Sequence, residues 1–187
     1  MIVTPPFERV LFDSSAIITF VEAGGIVQLR SYIGDKGAIT LDVQQELLRL
    51  SQTKFSGLIA LDRLGWPPGD ALGLPPHLLQ EAEDMRRAQL DPRAHADKDR
   101  GEVSTALMTQ HLGHAVAVME DLFGKTICAR RNIPRVSSAH LVAEMVAASA
   151  LDEDTGFAVY DMATPPHIGH SRYVKTVAEA REALAAL

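Results

Sequence analysis

Arg9-Val10-Leu11-Phe12-Asp13-Ser14-Ser15 is a short apolar run that stops at an acid and two hydroxyl residues, and Ala16 to Val21 resume the apolar content at once. Val10 to Phe12 suit a buried strand, and Asp13-Ser14-Ser15 suit the cap of the helix that follows. A strand joined to a helix with almost no loop begins a β–α–β unit, so further alternation is expected downstream. Gly24-Gly25 closes the first helix, and Ile26, Val27, Leu29, Tyr32 and Ile33 set a second helical pattern that stops at Gly34.

Ala38-Ile39-Thr40 predicts a second strand, and Leu41, Val43, Leu47, Leu48 and Leu50 predict the next helix, with Glu46 inside it. Gly65, Pro67, Pro68, Gly69, Gly73, Pro75 and Pro76 make residues 65–76 an irregular loop or flap. His77 to Arg87 reads as a charged, exposed helix and Leu90 to Arg100 as a polar connector, so residues 55–98 look inserted. Gly101 to Gly113 predicts a helix with Glu102 in its first turn and Val103, Ala106, Leu107 and Leu112 facing inward.

Ala115-Val116-Ala117-Val118-Met119 contains no polar residue, as expected of a parallel strand covered on both faces, and it too ends in acid, at Glu120-Asp121. A helix from Gly124 to Arg131, a strand at Pro134-Arg135-Val136 and a helix from Ala139 to Leu151 continue the alternation. Beyond Asp152 the pattern weakens through Gly156, Pro165 and Pro166 before a last helix from Arg172 to Leu187, and residues 152–187 read as a C-terminal extension. The expectation is a single α/β domain over 1–187, with a mainly parallel central sheet flanked by helices on both faces.

The chain of 187 residues, 47% hydrophobic, has enough apolar surface for one core. Ile2 to Pro6 lack the features of a secretory leader, no stretch reaches membrane-spanning length, and Cys128 is the only cysteine; a cytoplasmic protein without membrane contact is expected. The net charge of -6 argues against nucleic acid, because phosphate binding rests on a surplus of Lys and Arg. A carboxylate cluster neutralised by divalent cations weakens that objection.

Asp13 and Asp121 each follow an apolar strand, and two strands of one parallel sheet would bring both to the same rim. Clustered carboxylates repel one another unless a cation neutralises them, and oxygen ligands suit Mg²⁺ or Mn²⁺. Each acid also has a simpler reading: Asp13 as a helix cap, Glu46 as a solvated residue of an amphipathic helix, Glu102 as an acid favoured by a helix dipole. Glu120 is an auxiliary candidate beside Asp121, whereas Asp97 and Asp99 read as solvated connector charges. The seven histidines lack zinc-site spacing, Cys128 suits a small buried hydrophobe, and no phosphate-binding loop, dinucleotide fingerprint or nucleophile elbow is present.

Val10-Leu11-Phe12-Asp13-Ser14-Ser15 resembles the opening strand and Asp-Ser/Thr motif of PIN-domain nucleases. Gln45-Glu46-Leu47-Leu48 resembles that family's second acidic motif, and Asp99-Arg100-Gly101-Glu102 its Asp-x-Gly-Glu motif. The segment from Glu120-Asp121 through Ala129-Arg130 to Ile133-Pro134 is similar to a subgroup related to toxin components of bacterial toxin–antitoxin pairs. The resemblance covers about residues 9–54 and 99–150, and departs from the subgroup at Glu120, where an aspartate is usual, and at Ser104, where many members carry a second glutamate.

The resemblance implies Mg²⁺- or Mn²⁺-dependent endoribonuclease activity with Asp13, Glu46, Glu102 and Asp121 holding the ions, and Glu120, Ser14 and Ser137 as auxiliary residues. It also implies RNA as substrate and, for a toxin, a cognate antitoxin with a basic segment; exposed apolar helices would allow a homodimer. The alternative left open by the two departures is a catalytically degenerate PIN-like module that binds RNA or protein.

Overall fold

The computed structural model describes residues 7–67, 71–88 and 99–163. Strands β1 (Arg9–Phe12), β2 (Gly37–Ala38), β3 (Ala115–Val118) and β4 (Arg135–Val136) form one sheet in the order β2-β1-β3-β4. All its pairings are parallel, with Val10 opposite Val116, Phe12 opposite Val118 and Ala117 opposite Arg135. Parallel neighbours need long crossovers, and helices supply them. These are α1 (Ser14–Glu22), α2 (Ile26–Ile33), α3 (Leu41–Thr53), the single turn α4 (Ala60–Arg63), α5 (Pro76–Arg87), α6 (Arg100–Leu112) and α7 (Leu122–Arg131), with α8 (Ser138–Ala147) and α9 (Glu153–Ala163) after β4.

Alternation along the pleat sends side chains to two cores. Val10, Phe12, Val116 and Val118 join Ile17 and Phe20 of α1, Leu29 of α2, Val43 of α3 and Leu141 and Met145 of α8. On the opposite face Ala117 and Met119 join Val103 and Leu107 of α6 and Ile127 and Cys128 of α7, while Leu11 joins Met108 of α6. Helices cover both faces, which explains why Ala115–Val118 is apolar throughout and fully buried.

Several local expectations change. The second strand occupies Gly37–Ala38, and Thr40 pairs instead with Leu72 in an isolated parallel bridge. Leu41 N–H donates to Leu72 O at 3.0 Å and Leu72 N–H to Ile39 O at 2.9 Å, so part of the expected flap is tied to the sheet edge. Residues 56–63 are helical turns, and Leu58, Leu61 and Trp66 enter the main core. Helix α5 is amphipathic rather than exposed, because Leu78, Ala82 and Met85 pack against the α6–α7 cluster.

Helix α8 stops at Ala147, four residues before the expected end, because Ser149 takes a left-handed φ of 56° and Ala150 N–H turns back to Met145 O at 2.8 Å. Helix α9 was not expected. Its Val159 and Tyr160 are buried, and a Cβ at Gly156 would stand 2.8 Å from Val146 Cγ2. Gly156 therefore permits close approach of α8 and α9 rather than breaking a helix. The connector at 90–98 and the helix expected at 172–187 lie outside the described residues. No helix among the described residues is long and apolar enough to cross a membrane.

Candidate metal centre

The chain leaves β1 towards β2 on one side and returns to β3 on the other, so the carboxyl ends of β1 and β3 flank the point where the winding reverses. Open parallel sheets bind ligands at such a point. Asp13 N–H donates to Val118 O at 3.1 Å, which binds the two strand ends together at the rim.

Asp13 is the N-cap of α1. Its Oδ1 accepts from Ala16 N–H at 2.8 Å and the Ser15 hydroxyl lies 3.0 Å from both carboxylate oxygens. The side chain is 1% exposed, and burial pushes its pKa up to about 7, with the negative charge of Glu120 adding to the rise and the bonds from Ala16 and Ser15 opposing it. Ser14, next along, donates from Oγ to Glu46 Oε2 at 2.8 Å, joining α1 to α3.

Glu46 lies one turn beyond Val43, and its carboxylate crosses the first turn of α6. A Cβ at position 101 would stand 3.0 Å from Glu46 Oε2 and 3.3 Å from Val43 Cγ2, so glycine there gives the acid its path. Glu102 follows immediately. Burial, with the charges of Asp13, Glu46 and Asp121 adding to it, pushes its pKa up to about 8. Three acids from three other segments thus act electrostatically on Glu102.

Asp121 caps α7, accepting from Phe123 N–H at 2.6 Å through Oδ1. Glu120 points elsewhere. It accepts from Ser138 N–H at the start of α8 and forms an ion pair with Lys125 at 3.7 Å. Burial raises its pKa, while Ser138 and Lys125 oppose the rise. Glu120 is therefore a strut between β3 and α8. Ser137 caps α8, accepting from His140 N–H at 3.4 Å with His140 Nδ1 2.7 Å away, and it makes no hydrogen bond to the four principal acids.

Asp13, Glu46, Glu102 and Asp121 come from β1–α1, α3, α6 and β3–α7 and share one electrostatic neighbourhood. Among the described residues, however, no group of three or more His, Cys, Asp or Glu side chains has the arrangement of a ready-made metal site. The donor set is of the oxygen type that hard divalent cations take, and two of the acids, Asp13 and Glu102, hold protons more tightly than normal, first because they are buried and then because neighbouring carboxylates repel their charge.

A cleft of about 560 Å³ opens beside Asp121, with Leu122, Phe123 and Ile127 on its wall and Arg130 at its side. A smaller recess of about 160 Å³ beside Glu46 includes Arg49 and Arg100. Sequence reasoning missed Lys125 and Gly101 as site-shaping residues. Lys125 lies four residues after Asp121, one helical turn from the rim, which was a usable signal. Comparison with protein-family models, with curated proteins and with solved structures finds no match.

Proposed function

We propose that this chain is a PIN-type ribonuclease that hydrolyses RNA phosphodiester bonds with Mg²⁺ or Mn²⁺ held by Asp13, Glu46, Glu102 and Asp121. The observation that carries the reading is the raised proton affinity of Glu102, caused after burial by Asp13, Glu46 and Asp121. Buried acids that raise one another's proton affinity are costly without a cation and useful with one. When bound, the ion supplies Lewis acidity to the phosphodiester and offsets charge that develops during hydrolysis.

The chain's own residues prepare that chemistry. Ser14 orients Glu46, and the caps at Asp13 and Asp121 fix those side chains through Oδ1. At neutral pH without metal, Asp13 and Glu102 retain protons in part, so cation binding releases them and strengthens as pH rises. Arg49 and Arg130, which share their recesses with Asp42 and Asp99, would supply positive charge for the RNA backbone despite the net charge of -6. A toxin role, an antitoxin partner and a homodimer extend the reading on the resemblance alone.

Structured RNA incubated with Mn²⁺ and wild-type protein, Asp13→Asn or Asp121→Asn provides the test. Cleavage by the wild type and its loss in both variants is expected; equal cleavage by all three overturns the reading. One observation favours the second reading, a degenerate binding module: Glu120 is committed to Ser138 and Lys125. RNA binding unchanged by Mn²⁺, without cleavage, would decide for it.

A further inference from the structure

Thr40 and Ser104 are buried hydroxyl residues, each 1% exposed, whose oxygens lie 2.7 Å apart across the α3–α6 contact. Their neighbours fix the direction of that bond. Ser104 Oγ donates to Gly101 O at 3.2 Å, which uses its single hydrogen, so Thr40 is the donor to Ser104. Thr40 Oγ1 in turn accepts from Val43 N–H at 3.4 Å, as the N-cap of α3. The result is one chain running in a single sense: Val43 N–H to Thr40 O–H to Ser104 O–H to Gly101 C=O.

This chain joins the first turn of α3 to the first turn of α6. Glu46 lies three residues beyond one end and Glu102 next to the other, and Glu46 Oε2 passes 3.0 Å from where a Cβ at 101 would stand. Thr40 is also anchored by its backbone bridge to Leu72, so the donor end cannot drift with α3 alone. Bonds aligned head to tail in a dry interior polarise one another, and loss of one member leaves a buried partner unsatisfied. Ser104 is turned towards Thr40 and the Gly101 carbonyl, so it is not a missing acid of the rim.

Resting on the metal-dependent reading above, we infer that Thr40 and Ser104 are positioning residues that set the separation of Glu46 and Glu102, and hence the affinity of the full chain for a divalent cation. Thr105 is the natural control. It is adjacent on α6 and fully buried, and its hydroxyl has no hydrogen-bond partner among the described residues.

Mn²⁺ affinity of the purified full chain, measured by calorimetry alongside kcat and KM for RNA cleavage, tests the inference. Ser104→Ala is expected to weaken Mn²⁺ binding by about 10-fold and to lower kcat more than it raises KM, as when a group orienting a metal ligand is removed. Thr105→Val should leave Mn²⁺ affinity unchanged, and Thr40→Ser, which retains the chain, should match the wild type. Ser104→Cys, close in shape but a poorer hydrogen-bonding group, gives a smaller loss in the same direction and serves if Ser104→Ala does not fold. Wild-type Mn²⁺ affinity in Ser104→Ala or Ser104→Cys, or an equal loss in Thr105→Val, overturns the positioning role. Absence of Mn²⁺ binding by the wild type overturns the metal reading itself and the positioning role with it.

Discussion

The turn from β1 into α1 and the turn from β3 into α7 share one plan, in which an acid ends a parallel strand and caps a helix through Oδ1. They differ in depth. Asp13 follows Phe12 directly and is almost inaccessible, whereas β3 continues through buried Met119 and the strut residue Glu120 before reaching Asp121, which is partly exposed. Asp13 meets Ser15 at both oxygens, while Asp121 Oδ2 accepts no hydrogen bond among the described residues. Capping and metal binding are thus compatible demands on one residue, because a carboxylate has lone pairs left after one oxygen has capped a helix. The two turns thus present a buried acid with a raised proton affinity and a partly exposed one.

The largest expected effect comes from abolishing the inner charge. Asp13→Asn retains a capping side chain but loses the carboxylate, so Mn²⁺-dependent cleavage should fall by more than the roughly 100-fold typical of losing a residue that only orients a metal ligand. Asp121→Asn should also impair cleavage while leaving metal-free thermal stability unchanged. If Asp13→Asn cleaves RNA at the wild-type rate, the inner acid has no role in the chemistry.

The pH dependence of stability sharpens the same contrast. Asp13 and Glu102 have folded pKa values of about 7 and about 8, above their ordinary 3.8 and 4.5. The native state therefore binds more protons than the unfolded chain across that interval, and these acids make stability fall as pH rises from about 4 towards 8. Metal-free Asp13→Asn should lose less stability over this window than the wild type, and Mn²⁺ should restore part of the wild-type loss at its upper end. Parallel melting curves against pH for the two proteins would count against a buried, protonatable Asp13.

Glu120 separates strut from ligand. Glu120→Ala removes the acceptor for Ser138 N–H and the partner of Lys125. It should destabilise the fold by about 2 kcal/mol, as expected for a hydrogen bond to a charged group, while the Mn²⁺-induced rise in Tm persists. Loss of that rise would return Glu120 to the metal site. The smallest effect is expected from Gly101→Ala: a gain of about 1 kcal/mol in helix propensity offsets displacement of the Glu46 carboxylate, so stability changes little. Cleavage should nevertheless drop by about 10-fold through misplacement; an undiminished rate would show that Glu46 need not follow its observed path.

The strand-and-cap elements were legible because each level of the sequence pointed the same way. Val10 to Phe12 and Ala115 to Val118 are apolar without interruption, and both end in acids that cap helices, so Asp13 and Asp121 were accessible from residues alone. Glu46 was not. It lies on the polar side of an amphipathic helix, and its selection by Ser14 and Gly101 arises from contacts between distant segments. Helix α9 was hidden by Gly156, whose close approach to Val146 is a property of packing, and the second strand shortened because Thr40 found a partner in Leu72. The committed role of Glu120 depended on α8 arriving beside it.

The brevity of the outer strands has its own consequence. Both β2 and β4 contribute only two residues, Leu72 bridges Thr40 just past the end of β2, and Arg135 exposes its charge on β4. Long, flat, apolar borders recruit strands from other molecules, whereas short and charged ones do not. The acid-bearing strands lie at the centre of the sheet, guarded on each side by a border too abbreviated to serve as a template for aggregation.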